Sequence, residues 1–427
     1  MKLTKIFARE VLDSRGNPTV EAEVTVEGYT SSGISPSGAS TGEKEAVELR
    51  DSTQKRYHGK GVLTAVEQVN NEVAKAVTNR EFQDQRVFDE FLIELDGTPN
   101  KSRLGANAIL ALSIAFARAS AQVNGVELYR QLWSRENYIL PVPCMNVING
   151  GRHADNTVDF QEFMIAPHHA PSFAESIRIG EEIFHTLKAE LHQRGLSTGV
   201  GDEGGFAPDL RSNEEAIELI LAAIEKAGYR SGHDVSICID PATSELWEDG
   251  RYQFFKSDGR YLTSDEMIDL WEQWITQYPI VLLEDGLGEN DWQGWKKLTQ
   301  RLGSRIELVG DDIFCTNPAI IWDGINQGIG NSVLIKLNQI GTVTETLDAV
   351  KLAQDNGYAC FISHRSGETE DTTIADLVVA TGAGHIKTGS GCRSERIAKF
   401  NRLLRIEQQL GSKASFVGKS TFKNSKS

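Results

Sequence analysis

Residues 280–285, IVLLED, show the pattern that predicts the fold: four apolar residues of strand length end in two carboxylates. Five further runs repeat it, each ending, or nearly ending, in an ionisable residue: 235–240 (VSICID), 306–311 (IELVGD), 333–337 (VLIKL), 360–364 (CFISH) and 385–389 (HIKTG). Amphipathic segments of helix length lie between these runs and after the last one. They span residues 264–277, 291–302, 317–327, 343–356, 371–380 and 394–410. Strand and helix therefore alternate at least six times.

This alternation predicts a parallel β-sheet with helices packed against it. Six or more units over this length favour a closed (β/α)8 barrel of the TIM type, which needs about 250 residues. An open doubly wound sheet is the alternative. No GxGxxG follows a predicted strand and no GxxxxGK[ST] is present, so we expect neither a dinucleotide site nor a P-loop.

The first part of the chain has a different pattern. Residues 19–27 alternate apolar and polar side chains, which predicts a half-buried antiparallel strand. Residues 31–42 are rich in Ser, Gly and Pro and predict a loop. Helical patterns follow at residues 61–78, 81–95 and 107–124. A strand followed by a group of helices indicates an α+β unit.

We therefore predict an α/β protein in which a small N-terminal α+β capping domain, residues 1–135, precedes a modified barrel, residues 136–410. Pro141 and Pro143 mark the boundary between the two patterns. Residues 411–427 place four lysines among serines, and this composition predicts a flexible basic tail.

Composition excludes several classes of function. The 44 Lys and Arg residues against 60 Asp and Glu give a net charge of −16, so direct binding to nucleic acid or to an anionic membrane is not expected. Five scattered cysteines without a Cys-x-x-Cys pair argue against a disulfide framework and fit a reducing cytosol. Glu10 and Asp13 lie where a signal peptide needs apolar residues, and the apolar stretch 106–117 falls short of the about 20 residues that span a bilayer. We expect a cytoplasmic protein.

Ionisable residues at the ends of the predicted strands carry the chemistry. In a barrel the carboxyl ends of the strands meet on one face, where the active site lies. Each residue alone is typical of a cap or a surface charge, but six in register indicate one pocket. The six are Asp240, Glu284, Asp311, Lys336, His364 and Lys387.

The three carboxylates among them form an all-oxygen set, which suits Mg²⁺ better than zinc. Salt bridges to Lys336 and Lys387 are the alternative use of these acids. A lysine close to a dication has a lowered pKa and is then a competent general base. The pattern therefore predicts removal of a proton next to a metal-bound carboxylate.

Four loops add further candidates. Glu203, in the glycine-rich segment 199–208, could share a proton with Glu162 and so provide a general acid; a solvated turn is the alternative. Residues 37–42 are either a hydroxyl-rich lid or a plain surface loop. Residues 363–367 suit an anionic group, whereas a lone histidine in residues 150–156 is more often structural.

These segments together resemble the enolase family over almost the whole chain. The resemblance is carried by long motifs: DSRGNPTVEAEV (13–24), SGASTG (37–42), KSRLGANAIL (101–110), HADNTVDFQEFMI (153–165), GDEGGFAP (201–208), LLEDGL (282–287), VGDDIF (309–314), IKLNQIGT (335–342), SHRSGETEDT (363–372) and IKTGSGCRSERIAKFNRLLRIE (386–407). The EDGL form is similar to the bacterial type.

The resemblance implies a cytoplasmic Mg²⁺-dependent lyase that dehydrates 2-phospho-D-glycerate reversibly to phosphoenolpyruvate, with two Mg²⁺ per site. Asp240, Glu284 and Asp311 match the ligands of the first ion, and Ser40 matches the lid residue that meets the second ion, which arrives with substrate. Lys336 matches the base at carbon 2. The acid that helps to expel the carbon 3 hydroxyl corresponds to Glu203, with Glu162 beside it. Substrate contacts correspond to Gln161, Arg365, Ser366 and Lys387, and histidines of the closing site to His153 and His364.

The resemblance also implies a homodimer or larger homo-oligomer, and alternatives remain open. A paralogous lyase acting on a related phospho-carboxylate is one, and an added scaffold role, in an RNA-degrading assembly or at the cell surface, is another. Arg152, Cys315 and Cys392 depart from the usual family pattern without removing a catalytic group.

Overall fold

The computed structural model describes residues 1–53 and 55–423. Its elements divide into an N-terminal cap and a barrel. The strands of the cap are β1 (Leu3–Leu12), β2 (Pro18–Val26) and β3 (Tyr29–Ile34). Its helices are α1 (Leu63–Gln68), which continues through a π turn (Val69–Val73) into α2 (Ala74–Val77), then α3 (Gln85–Asp96), α4 (Ala106–Val123) and α5 (Leu128–Leu132).

The remaining strands are β4 (Tyr138–Leu140), β5 (Val142–Asn149), β6 (Glu162–Pro167), β7 (Val235–Asp240), β8 (Trp247–Glu248), β9 (Arg251–Gln253), β10 (Tyr261–Leu262), β11 (Ile280–Glu284), β12 (Glu307–Gly310), β13 (Ser332–Ile335), β14 (Ala359–Ser363), β15 (Gly384–Lys387) and β16 (Ala414–Phe416). The remaining helices are α6 (Phe173–Gln193), α7 (Asn213–Lys226), α8 (Ser264–Gln277), α9 (Trp292–Leu302), α10 (Pro318–Gln327), α11 (Leu337–Ile340), α12 (Val343–Asp355), α13 (Thr373–Thr381) and α14 (Ser394–Leu410). Short 3₁₀ turns lie at Arg56–Gly59, Gly151–His153, Thr243–Leu246, Gly411–Lys413 and Gly418–Thr421.

The cap is an antiparallel meander, β1-β2-β3, covered by helices. The alternation in β2 buries Val20, Ala22 and Val24 on one face, which confirms the strand predicted there. Helix α4 is apolar and long enough to cross a membrane by composition alone, but 83% of it is buried within the protein as the core helix of the cap. It packs closely against β3 because Gly33 has no side chain: a Cβ at Gly33 would lie 2.5 Å from the Ala111 carbonyl oxygen.

The barrel is closed, in the order β5-β6-β7-β11-β12-β13-β14-β15. The closed barrel is confirmed and the open sheet is wrong. Strand β6 runs antiparallel to both β5 and β7, whereas the other neighbouring pairs are parallel. The element order is therefore ββαα(βα)6. The sequence pattern missed β5 and β6 because both are buried on all sides and show no alternation of apolar and polar residues.

The segment after α14 differs from the expected flexible tail. Strand β16 pairs in parallel with β4, and the Phe422 side chain is buried with the side chains that fill the barrel interior, including Val142 and Phe361. The apolar surface of this segment comes from Phe416, Val417 and Phe422. Lysines and serines dominate its composition, which is why the composition predicted a flexible tail. Residues 424–427, with Lys426, lie outside the described residues.

We predict that Phe422→Ala lowers the stability of the fold. Removing a buried phenyl ring leaves a cavity, which costs about 3–5 kcal/mol in the free energy of unfolding. The measurement is the thermal midpoint, with the partly exposed neighbour changed in Val417→Ala as the control. Equal midpoints for the two variants would contradict the packing of this segment.

Candidate active site

The six strand-end residues meet at one mouth of the barrel. Asp240, Glu284 and Lys387 are the last residues of their strands. Asp311, Lys336 and His364 each follow the last residue of a strand directly. All six strands are parallel, so their carboxyl ends share one face. A cavity of about 20 Å³ lies there, lined by Ser40, His153, Gln161, Glu162, Glu203, Asp240, Lys336, Ser363, His364, Arg365, Ser366 and Lys387.

Lys387 is the centre of the charge network. Its Nζ lies 2.8 Å from an Asp240 oxygen, 2.9 Å from a Glu284 oxygen and 3.0 Å from a Glu162 oxygen, and all four side chains are buried. Burial lowers the pKa of the lysine, but these carboxylates outweigh it and hold the pKa well above its usual range. The salt bridges weighed as an alternative to metal binding are thus formed in this structure.

The lysines do not balance the acids. The three strand-end carboxylates, together with Glu162 and Glu203, face Lys387, Lys336 and Arg365 at this mouth, and Arg365 is already paired with Glu45. The buried Glu284 Oε2 has no hydrogen-bond partner within the described part of the chain. Burial and the neighbouring Asp240 raise the pKa of Glu284 well above its usual range. Excess buried negative charge and an unused carboxylate oxygen fit a hard dication such as Mg²⁺.

Asp285 holds the turn that presents Asp311. Its two carboxylate oxygens accept the backbone N–H groups of Asp311, at 2.8 Å, and of Asp312, at 3.0 Å. Gln339 donates its Nε2 to Asp311 Oδ1 at 2.8 Å. Asp311 is therefore oriented from two sides. Asp285 therefore holds the turn, whereas its neighbour Glu284 faces Lys387.

Glu162 and Glu203 lie side by side, as their proposed sharing of a proton requires. Asn146 Nδ2 bridges them, 3.2 Å from Glu162 Oε2 and 2.9 Å from Glu203 Oε2. Burial and the adjacent Glu203 raise the pKa of Glu162 well above its usual range. Burial also opposes ionisation of Glu203, but His153, together with Lys387, outweighs it and holds its pKa well below the usual range. The resting pair thus carries its proton on Glu162, and its charge on Glu203.

Two histidines face Glu203 Oε1: His153 Nδ1 lies 3.5 Å away and His364 Nε2 lies 3.4 Å away. Burial, together with Arg396, lowers the pKa of His364 well below its usual range, so the ring is neutral. The buried Arg396 guanidinium donates to His364 Nδ1. Because Nδ1 accepts this bond, we assign the ring proton to Nε2, where it points to Glu203.

The surroundings of Lys336 favour its protonated form. Its Nζ contacts Asp311 Oδ2 at 2.5 Å. Burial lowers the pKa of Lys336, but Asp311 outweighs it and raises the pKa above its usual value. The lysine is therefore not yet the neutral base that the sequence predicts. Engagement of Asp311 by another cation would remove this counter-charge.

The segment 37–42 closes over the mouth. Arg365 donates its Nη2 to the Ser40 carbonyl at 2.9 Å, and Ser366 Oγ accepts the Ala39 N–H at 2.6 Å. A second nitrogen of Arg365 donates to Glu45 at 2.9 Å. Gly38 allows this approach, since a Cβ there would lie 1.9 Å from Arg365 Nη2. The lid interpretation therefore fits the geometry better than a plain surface loop.

All thirteen candidate residues gather at this mouth: eleven line the cavity, and Glu284 and Asp311 lie directly behind its wall. Four further residues support them and were missed: Glu45, Asn146, Gln339 and Arg396. A signal existed for two of these. Asn146 interrupts an apolar run, and Arg396 lies on the apolar face of α14; a polar group in such a place needs a partner.

The three departures from the family pattern lie around the site. Arg152 forms an ion pair with Glu245 outside the cavity lining. Cys315 is buried beneath the lid, where its Sγ lies 3.0 Å from the Asp312 carbonyl oxygen. Cys392 Sγ lies 3.1 Å from the Gly204 carbonyl oxygen, next to the loop of Glu203.

Comparison with known proteins identifies the family. Residues 3–132 match the model described as the enolase N-terminal domain, and residues 137–425 match the enolase C-terminal TIM barrel domain. The chain is 65% identical over 427 residues to a curated protein named Enolase 1 from Chlorobaculum tepidum, covering 100% of both chains. With two family models spanning its cap and its barrel, and its full length aligned to such a relative, this chain belongs to the enolase family.

Proposed function

We propose that the chain is a hydro-lyase, phosphopyruvate hydratase, that interconverts 2-phospho-D-glycerate and phosphoenolpyruvate with Mg²⁺. Family membership and the full-length relative support this activity. The observation that carries it is a single small cavity lined by Lys336 on one strand end and by the Glu162–Glu203 pair from other elements. Loss of water across two adjacent carbons needs both a base and an acid, and this cavity contains both.

Asp240, Glu284 and Asp311 would hold one Mg²⁺, and Ser40 on the lid a second. When bound, Mg²⁺ supplies positive charge that stabilises the substrate carboxylate as negative charge develops on it. With Asp311 engaged in this way, it would no longer serve as the counter-ion of Lys336. The pKa of the ammonium would then fall, and Lys336 would act as the base that takes the proton from carbon 2.

The Glu162–Glu203 pair serves the other half of the reaction. Its one proton passes to the carbon 3 hydroxyl, the carbon–oxygen bond breaks, and water leaves. Asn146 donates to both carboxyls and holds them side by side, so that the proton on Glu162 and the charge on Glu203 depend on each other. His153 and His364 stabilise the carboxylate that remains on Glu203.

Arg365, Ser366, Gln161 and Lys387 bind the substrate in this proposal. The buried Gln161 Oε1 has no hydrogen-bond partner among residues 1–53 and 55–423, which leaves it free to accept a substrate hydroxyl. Arg365 and Ser366 now bind the lid backbone, and a phosphate would compete for the same donors. The cavity of about 20 Å³ is too small for the substrate, so the lid must open for entry.

A related phospho-carboxylate remains the alternative substrate, and comparative rates on a small panel of such compounds distinguish the two. Cytoplasmic location, assembly into a homodimer or larger oligomer, and a scaffold role in an RNA-degrading assembly or at the cell surface stay predictions. The acidic net charge of −16 supports the expectation that nucleic acid is not bound directly.

Turnover of 2-phosphoglycerate tests the activity directly. We expect ultraviolet absorbance to rise as the conjugated enol phosphate forms in the presence of Mg²⁺, and chelation to abolish the rise. Adding Mg²⁺ back should restore it. Turnover that persists unchanged in chelator would contradict the metal-dependent reaction.

The base and the acid can be separated by isotope exchange. We expect Lys336→Met to lower kcat by about 10²–10⁴-fold and to abolish exchange of the carbon 2 proton with deuterated water, because the base is gone. Glu203→Gln should lower turnover similarly but retain exchange at carbon 2. Lys351→Met, on the exposed face of α12, serves as the control. Exchange retained in Lys336→Met would reassign the base.

The lid predicts an effect of Gly38→Ala. The added methyl group collides with Arg365 and lies 2.7 Å from the Ser40 carbonyl, so it prevents the closed lid. Steady-state kinetics should show kcat/KM reduced by about 10–100-fold. In the control, Gly288→Ala, the new Cβ meets nothing closer than 3.7 Å. Equal kinetics in both variants would show that lid closure is not needed.

A further inference from the structure

A second group of metal-ligating side chains lies at the opposite end of the barrel. It consists of His169, His233 and Asp234, whose ligand atoms all lie within 4.8 Å of one another. The antiparallel direction of β6 explains why these three residues lie close together. Pro167, the last residue of β6, pairs with Val235, the first residue of β7. The residues after β6 and before β7 therefore leave the barrel together, at the end away from the proposed active site.

The backbone holds this histidine group in place. The His169 N–H donates to the Asp234 carbonyl at 3.1 Å, which ties the two loops together. The imidazole rings have centroids 4.8 Å apart, with an angle of 62° between their planes. A metal ion could therefore bind without first ordering either loop, which reduces the entropic cost of binding.

One pair of candidate ligand atoms is already in hydrogen-bond contact, and it would have to separate by about 0.6 Å to reach the spacing of zinc ligands. His233 Nδ1 and Asp234 Oδ1 are 2.8 Å apart. Ligand atoms of a tetrahedral zinc site, each 2.0–2.2 Å from the metal, lie about 3.4 Å apart. Hydrogen bonds from Arg230 hold the pKa of Asp234 well below its usual range, so its carboxylate is ionised. A metal ion would take the place of the proton that His233 and Asp234 share.

The surroundings give access and also limit affinity. His169 and His233 are exposed and line a cavity of about 940 Å³, whose opposite wall is the C-terminal segment 416–420. The buried His168 lies on the same wall; burial lowers its pKa to about 4, so it adds no charge. Arg230 and Lys419 are the cations near the group. Their charge opposes a dication, so we expect weaker binding than at a buried structural zinc site.

We propose that His169, His233 and Asp234 bind a borderline transition-metal dication, such as Zn²⁺, with water completing its coordination. Two imidazoles and one carboxylate favour zinc-like ions over Mg²⁺, which prefers oxygen ligands alone. The site is independent of the proposed reaction, because it lies at the other end of the barrel. It would be occupied while Mg²⁺ fills the all-oxygen set.

Equilibrium dialysis with Zn²⁺ tests this site in the full chain without an affinity tag. A large excess of Mg²⁺ suppresses zinc binding to the active-site carboxylates. The unchanged protein should then bind one more Zn²⁺ per chain than His233→Gln or His169→Gln, each of which should bind Zn²⁺ at least about tenfold more weakly. His192→Gln, which removes an exposed histidine of α6, should bind as the unchanged protein does.

Thermal midpoints and turnover complete the design. Zn²⁺ should raise the midpoint of the unchanged protein and of His192→Gln but not that of the two site variants, whose metal-free midpoints and turnover in Mg²⁺ should be unaltered. Equal zinc stoichiometry and affinity in the unchanged protein and both site variants would overturn the proposal. Equal zinc binding would overturn the proposal even if turnover differed between the proteins, since this site lies far from the reacting groups.

Discussion

The buried ammonium of Lys387 is the interaction on which the site depends. It lies within 3.0 Å of Glu162, Asp240 and Glu284, and these four residues come from β6, β7, β11 and β15. Removing such charges from water costs several kcal/mol per ion and is offset only when each has a close partner. Barrel closure and charge pairing are therefore coupled: the strands bring the acids to the lysine, and without the lysine the acids would repel one another.

Because strand β6 is antiparallel to its neighbours, its first residue places a carboxyl group at the mouth of the barrel, which a strictly parallel barrel would not do. Its first residue, Glu162, pairs with Asp240 and Asn149, so the start of this strand lies at the mouth where its neighbours β7 and β5 end. Glu162 can therefore lie next to Glu203 without occupying a loop. The same reversal carries His169 to the far end. One change of strand direction thus determines the surroundings of two separate groups of ionisable residues.

Sequence alone predicted the strand-end residues because charge after an apolar run is visible in the chain, and parallel strands bring such ends together. The bounds of α8 and α14 were also predictable from their periodicity. Asn146 was visible as a polar residue within an apolar run, but it could not be assigned to this site because β5 has no alternation that shows which side faces inward. Phe422 was missed for a different reason: its burial depends on a distant pocket at the barrel floor, which local composition does not describe.

The closed lid and a bound phosphate would use the same side chains, Arg365 and Ser366. This links substrate binding to lid closure. Arg365 donates to the Ser40 carbonyl and to Glu45, so an incoming anion must offer more than these two acceptors do. A ligand shifts a conformational equilibrium only by its differential affinity for the two states. A doubly charged phosphate can compete for the guanidinium through bidentate, charge-assisted bonds, whereas a neutral hydroxyl cannot. Selectivity for a phosphorylated substrate would then reside in the exchange of lid contacts for phosphate contacts, before any bond to carbon is broken.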